Sequence, residues 1–308
     1  MKETFFSKTA VVWIGALICC ALWGSAFPSV KTGYILFGIN TADPPSLLLF
    51  AGMRFTLAGI LALVIGSIAA RRLLLPKKGS FRMILPLSLL QTVAQYVFFY
   101  IALANSTGVR SSIINGVNVF IAILVAALLF RQEKLTAGKI IGSVIGFAGL
   151  VIVCLNQGSF SFSFTLFGDG FMLFSSIAYA FSSVLLKRFS QKEDPVVLSG
   201  CQFVIGGIIL MVLGGAMGGR IGSFSPQAFL LLLYLACISA VAYSLWGILL
   251  KYNNVSRVTV FGFMNQIFGV AFSALFLGEG SVLSLNYVLA LALICFGIII
   301  VNREQRSG

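Results

Sequence analysis

The sequence predicts an all-α membrane protein: ten transmembrane helices arranged as two five-helix repeats of inverted topology, with both termini in the cytoplasm. Three observations carry this expectation. Hydrophobic residues make up 59% of the chain and charged residues only 9%, with a mean hydropathy of +1.05, whereas a soluble domain carries about 25% charged residues. Apolar runs bounded by charges or turn residues divide the chain into ten segments. A hydrophobic hairpin ending in Leu-Phe-x-x-Glu occurs twice.

A spanning helix needs about 20 residues, so 308 residues accommodate ten helices and short loops, with no soluble domain visible. The segments are 10–37, 46–69, 82–104, 109–130 and 137–154, then 168–187, 196–217, 227–250, 255–277 and 283–301. The first follows Lys2 and Lys8 and has the outline of a signal peptide. Its counterpart later in the chain marks it instead as a retained helix 1. A Ser/Phe-rich stretch from Asn156 to Thr165, expected outside, divides residues 1–155 from 166–308.

Charge placement orients the helices. With the N-terminus in the cytoplasm, 17 of the 21 basic residues fall on inside segments. Only Lys31, Arg110 and Arg220 fall outside, and Arg54 lies within helix 2. This is the positive-inside pattern. The same dispersal through short loops argues against nucleic acid as the partner of a chain with net charge +13. The lipid bilayer and a small molecule are the expected partners.

The repeat supplies the inversion. A shift of 146 residues places Tyr100 on Trp246, Gly116 on Gly262, Leu129-Phe130 on Leu275-Phe276 and Glu133 on Glu279. Trp23 to Lys31 matches Tyr179 to Lys187, and Met53-Arg54-Phe55 matches Cys201-Gln202-Phe203. Each half has an odd number of helices, so the second enters the membrane from the opposite side. Glu133 is then expected at the cytoplasmic face and Glu279 at the outer face. Inverted repeats of this kind characterise secondary transporters, with substrate bound between them near the midplane.

Polar side chains are expensive in hydrocarbon, so their positions are informative. Ser111, Asn115 and Asn118 share a face of helix 4, and Thr259, Asn265 and Gln266 do so less cleanly on helix 9. Gln91 and Gln95 share a face of helix 3, with Tyr96 and Tyr100 on a neighbouring one. Ser239, Tyr243 and Trp246 form a stripe on helix 8, and Ser175, Tyr179 and Ser182 one on helix 6. These faces can line a cavity, or they can serve as interhelical hydrogen bonds and interfacial belts.

Trp23-Gly24-Ser25-Ala26-Phe27 with Lys31, Arg54, and the two helices ending at Glu133 and Glu279, followed by Gly-containing helices 5 and 10, together resemble the EamA-type members of the drug/metabolite transporter superfamily. The likeness covers essentially the whole chain. It implies a transporter of amino acids, related metabolites or drugs in the inner membrane, with a cavity lined by helices 1, 3, 4, 6, 8 and 9. The chain departs from the resemblance at Val119 and Asn265, where many members carry a proline. Helix shape at those two points is therefore left open.

The candidate substrate-binding residues are Trp23, Tyr96, Tyr100, Asn115, Asn118, Tyr179, Tyr243, Trp246 and Asn265. Arg54, Glu133 and Glu279 are expected in gating or structural roles. For Arg54, where a mid-span charge costs about 2.5–3.5 kcal/mol, a substrate carboxylate and helix-end carbonyls are the two alternatives. The second is preferred because helix 2 lies outside the implied cavity. Glu133 is expected to cap the start of helix 5. Gly142-x-x-x-Gly146 could support a homodimer, although packing within a monomer is the commoner use.

No cofactor or metal is expected. The chain has no histidine, no Cys-x-x-Cys pair and no phosphate-binding loop, and its six cysteines lie in apolar stretches. The missing histidine also removes rhomboid-like proteolysis, and a single Asp169 at a helix start cannot supply an aspartyl pair. An intramembrane enzyme and a non-transporting scaffold or receptor are the remote readings. The function expected is secondary transport of an amino acid or similar zwitterionic or neutral compound by alternating access, with export as its direction. A multidrug or other metabolite transporter of the same fold is the alternative. Without a mid-helix carboxylate to carry protons, exchange or facilitated diffusion is expected over proton antiport.

Overall fold

The computed structural model describes residues 5–105, 111, 114–155, 164–277 and 285–303. Every regular element among them is helical. In chain order these are α1 (Thr9–Leu36), α2 (Pro44–Ala70), α3 (81–104), α4 (Ile114–Leu129) and α5 (Ala137–Leu155). They continue with α6 (Leu166–Phe189), α7 (Pro195–Ala216), α8 (Pro226–Tyr252), α9 (255–277) and α10 (Leu285–Arg303). Eight of them are long and apolar enough to cross a membrane; α4 and α5 are apolar but shorter over the described residues.

Local chemistry sets the helix starts. Proline occupies the first turn of α2, α7 and α8, where its missing N–H costs nothing. The Asp194 carboxylate accepts from the N–H of Val196, and the Ser225 hydroxyl accepts from that of Ala228. In α3, Pro86 lies inside the helix and a wider, π-type stretch follows over Ser88–Ala94.

The helices without proline at Val119 and Asn265 are nevertheless interrupted. In α4 the helix gives way to a turn at Val117, and α9 breaks at residues 260–261 between Val255–Thr259 and Gly262–Leu277. Both breaks adjoin the repeated glycines, Gly116 and Gly262.

Glycine also decides the closest packing. A Cβ on Gly52 would lie 2.5 Å from the Met211 nitrogen, and one on Gly59 2.5 Å from the Gly200 oxygen. The backbones of α2 and α7 therefore touch, as small residues allow in membranes. As numbers rise from Gly52 to Gly59 the partners fall from Met211 to Gly200, so the pair is antiparallel. Likewise Gly142 meets Gly297 and Val301 while Gly149 meets Ala290 and Ile294, making α5 and α10 antiparallel. Gly142 and Gly146 thus pack against α10 and Phe263 of the same chain.

The remaining contacts come in matched sets. α1 packs on α8 and α9, and α6 packs on α3 and α4; α2 meets α8 as α7 meets α3. Exchanging α1–α5 with α6–α10 turns each of these pairings into another.

The helix ends sort into two groups. At one end of the bundle Lys77 meets Glu193, Glu133 meets Ser256, and Arg257 meets Ser7 and Thr9. At the other, the N–H groups of Gly222 and Ser223 donate to the Phe37 carbonyl, and the Arg220 N–H donates to the Ser46 hydroxyl. All the loops expected in the cytoplasm among these contacts fall in the first group, and all those expected outside fall in the second.

Candidate functional site

Two hydrophobic clusters fill the bundle, and Trp23 packs against both. Beside it lies a closed set of rings drawn from four helices. Tyr96 of α3 lies 4.4 Å from Phe55 of α2, Phe55 lies 5.1 Å from Phe203 of α7, and Phe203 lies 4.8 Å from Tyr243 of α8. The Tyr96 and Tyr243 hydroxyls share a hydrogen bond at 3.1 Å and close the circuit. Its two phenylalanines correspond across the repeat, and its two tyrosines lie on the corresponding helices α3 and α8. Trp23 caps it edge-on, 5.0 Å from both Tyr243 and Trp246, an arrangement aromatic quadrupoles favour.

What this centre lacks is polar partners. The indole N–H groups of Trp23 and Trp246 and the Oε1 of Gln95 are buried with no hydrogen bond. Buried polar atoms are normally satisfied, so these three unpartnered atoms are available to bond a further group, as are others elsewhere in the bundle. Arg54 stands at the edge. It is 6% exposed, its Nη2 donates to the Ser239 hydroxyl at 3.0 Å, and its Nε–H is also unpartnered. It does not reach helix-end carbonyls, because at about three turns into α2 its nearest neighbours are the middle of α8 and the Phe55 ring, 5.3 Å away.

Comparison with known proteins decides the identity. The EamA-like transporter family matches residues 10–155 and 166–303. The chain belongs to this family. It is 23% identical to the uncharacterized transporter YvbV of Bacillus subtilis (strain 168), covering 100% of this chain and 95% of the relative. It is 26% identical to an uncharacterized transporter of Archaeoglobus fulgidus over 95% of this chain and 99% of the relative. A WAT1-related chloroplastic protein of Arabidopsis thaliana is 27% identical over 57% of this chain. A solved crystal structure shares the fold, with a TM-score of 0.77 at 16% identity, covering 97% of this chain and 99% of the other. The chain is a multi-pass membrane protein of a transporter family.

Of the residues expected to bind substrate in this EamA-like transporter, the structure joins Trp23, Tyr96, Tyr100, Tyr243 and Trp246; Tyr100 lies 6.2 Å from Tyr96. Tyr179 lies on α6, where its carbonyl accepts from the Ser182 and Ser183 hydroxyls. Asn115 turns to α6 instead, where the Ser176 hydroxyl donates to its Oδ1 at 3.4 Å. Asn118 and Asn265 are half-buried on α4 and α9 and hydrogen-bond no described residue. Sequence reasoning missed Phe55, Phe203 and the orphaned amide of Gln95 as parts of one centre. The alignment of Phe55 with Phe203 was the signal available.

The Glu133 expectation needs correction. Its carboxylate accepts from the Ser256 N–H at 3.2 Å and hydroxyl at 2.9 Å, so it caps α9 rather than α5. The end of α4 runs antiparallel alongside the start of α9, which brings the unpaired N–H groups there within reach, and the positive helix end favours an anion. Lys139, 3.5 Å away and as buried as its partner, balances the charge. Glu279 lies outside the described residues.

A depression of about 1080 Å³ at this end is lined by Gln132, Lys187, Arg188, Lys251 and Arg257, among others. Its cations are already engaged. Lys187 donates to the Leu250 and Asn253 carbonyls at the end of α8, Arg188 sits over the Phe130 ring, and Arg257 donates to Asn253 and Thr9. Nearby, Glu193 is pulled two ways. Burial pushes its carboxyl up, but donation from Ser80, Lys77 and Asp194, with the Lys77 charge, holds it below the usual carboxylate range.

Proposed function

We propose that this transporter moves a small zwitterionic or neutral amphiphile, an amino acid with an apolar side chain foremost, across the cytoplasmic membrane by alternating access, in the direction of export. One observation carries the reading: indole donors and an amide acceptor stand buried and unpaired within a wall of rings. Such a site offers ring faces to an apolar side chain and both donors and acceptors to a polar head. The matched pairings of α1–α5 with α6–α10 support an inverted repeat, in which exchanging the two packings opens the site to the other side. The basic residues, gathered at one end, support cytoplasmic termini. The five described carboxylates all sit at helix ends or in loops, so exchange or facilitated diffusion suits the centre better than proton antiport.

The test is counterflow in proteoliposomes with a labelled amino-acid panel. Saturable, trans-stimulated flux is expected, and Trp246→Ala should abolish it while folded yield persists. Unchanged kinetics in Trp246→Ala would remove the ring cluster from the pathway. Absence of flux and of thermal stabilisation across a broad metabolite panel would sink the substrate class.

A further inference from the structure

Arg54 is a buried cation with no counter-ion among the described residues. The described carboxylates are all engaged elsewhere: Asp43 with Ser46, Glu133 with Ser256 and Lys139, Asp169 with Thr165, Glu193 with Ser80 and Lys77, and Asp194 with the start of α7. One neutral hydroxyl accepts from the guanidinium, while its Nε–H faces no acceptor. An ionisable group inside a span ordinarily faces an interior pathway and pairs with something; here no described residue supplies the pairing anion. The guanidinium lies 5.3 Å from the Phe55 ring, which packs on Tyr96, and Tyr96 shares a hydrogen bond with Tyr243 beside Trp23, so it borders the same ring cluster as the orphaned indoles.

We propose that Arg54 is the anion-binding residue of the central site and holds the carboxylate of a monoanionic or zwitterionic amphiphile. This rests on the central rings being the substrate site. The free Nε–H and the guanidinium fork provide two-point binding that an ammonium or a neutral amide cannot offer. With the carboxylate on Arg54, the apolar side chain meets Trp23, Tyr243 and Trp246, and the Gln95 Oε1 accepts from an ammonium. Selectivity then follows from charge: the acid binds, whereas the corresponding amide or decarboxylated amine leaves the guanidinium unpaired. A dianion would exceed the single positive charge available. Ser239, the one acceptor among the described residues, orients the guanidinium without competing with a full negative charge.

The test uses the purified full-length protein and three matched sets: phenylalanine, tryptophan and leucine, each with its amide and its decarboxylated amine. Binding is read by thermal shift and by tryptophan fluorescence. Wild type should bind the acid of at least one set about 30-fold or more tighter than its amide and amine, as expected when one partner of a buried charge pair is removed. Arg54→Gln should erase that preference while leaving the amide's weak affinity in place, and Arg54→Lys should retain part of it. If Arg54→Gln does not fold, competition against the bound acid decides: phenylpropanoate should compete, and phenylpropylamine should not. Wild type binding amide and acid alike, or Arg54→Gln keeping the acid preference, overturns the role of Arg54 and leaves the ring site standing. Wild type binding none of the panel overturns both readings.

Discussion

At two corresponding helix crossings the protein treats a buried polar side chain in opposite ways. On α7, Gln202 is fully buried and its amide donates to Gln91 of α3 at 2.5 Å, a neutral pair between like groups. On α2, Arg54 occupies the matching position and donates to Ser239 of α8, a charge resting on a hydroxyl. The ring neighbours are the same on both sides, Phe55 with Tyr96 and Phe203 with Tyr243. The framework is therefore close to two-fold, and the charge breaks it. The two crossings share their helix pairings, and a single cation at one of them makes the centre chemically asymmetric.

The comparison can be broken most severely by making the two crossings alike. Gln202→Arg would bury a second cation with no anion, at a cost of about 3 kcal/mol or more. The monodisperse folded fraction in detergent should collapse. Normal yield would mean the centre carries uncompensated cations freely, and the special status of Arg54 would be lost.

A gentler test removes the partners. Ser239→Ala deprives Arg54 of its one described acceptor and should cost about 1–3 kcal/mol, whereas replacing Gln91 and Gln202 together by Leu should stay within about 1 kcal/mol, because no orphan remains. Thermal unfolding of the two variants at neutral pH gives the ordering directly. A reversed ordering would show that the amide pair, not the arginine, dominates the interior.

The smallest effect concerns the loops, where Glu193 ties the α6–α7 turn to Lys77 and Ser80. A carboxyl whose folded pKa is lowered adds stability above the ordinary carboxyl range and loses it as pH falls through the folded value. Glu193→Gln should therefore melt slightly lower than wild type at neutral pH, with the gap closing on acidification below about pH 4. A gap that is constant with pH would assign the tie to its hydrogen bonds alone.

Much of the architecture was legible in one dimension. Apolar runs bounded by charges mark helices to within a few residues, since 46–69 and 196–217 became Pro44–Ala70 and Pro195–Ala216. The reason is physical: a bilayer-spanning helix must be long, apolar and flanked by polar residues, and each of these is a property of the chain itself. The repeat was equally legible, because it is a correspondence between stretches of sequence. The aromatic residues of the centre were named, yet their company was not.

Partnership between helices was what the chain alone left undecided. These helices are apolar nearly all round, because lipid and protein interior are alike in hydrophobicity, so no periodic stripe announces which face turns inward. Arg54 was accordingly assigned to helix ends, when the close glycine contact of α2 with α7 brings it beside the central rings. Glu133 was assigned to the next helix in sequence, when the antiparallel approach of α4 and α9 offered it a nearer helix start. The sequence by itself determined that the chain is a series of apolar helices, roughly where they begin and end, and which side chains are too polar for lipid. Only the tertiary structure decided which of those side chains meet, because that depends on backbone approach across helices far apart in the chain.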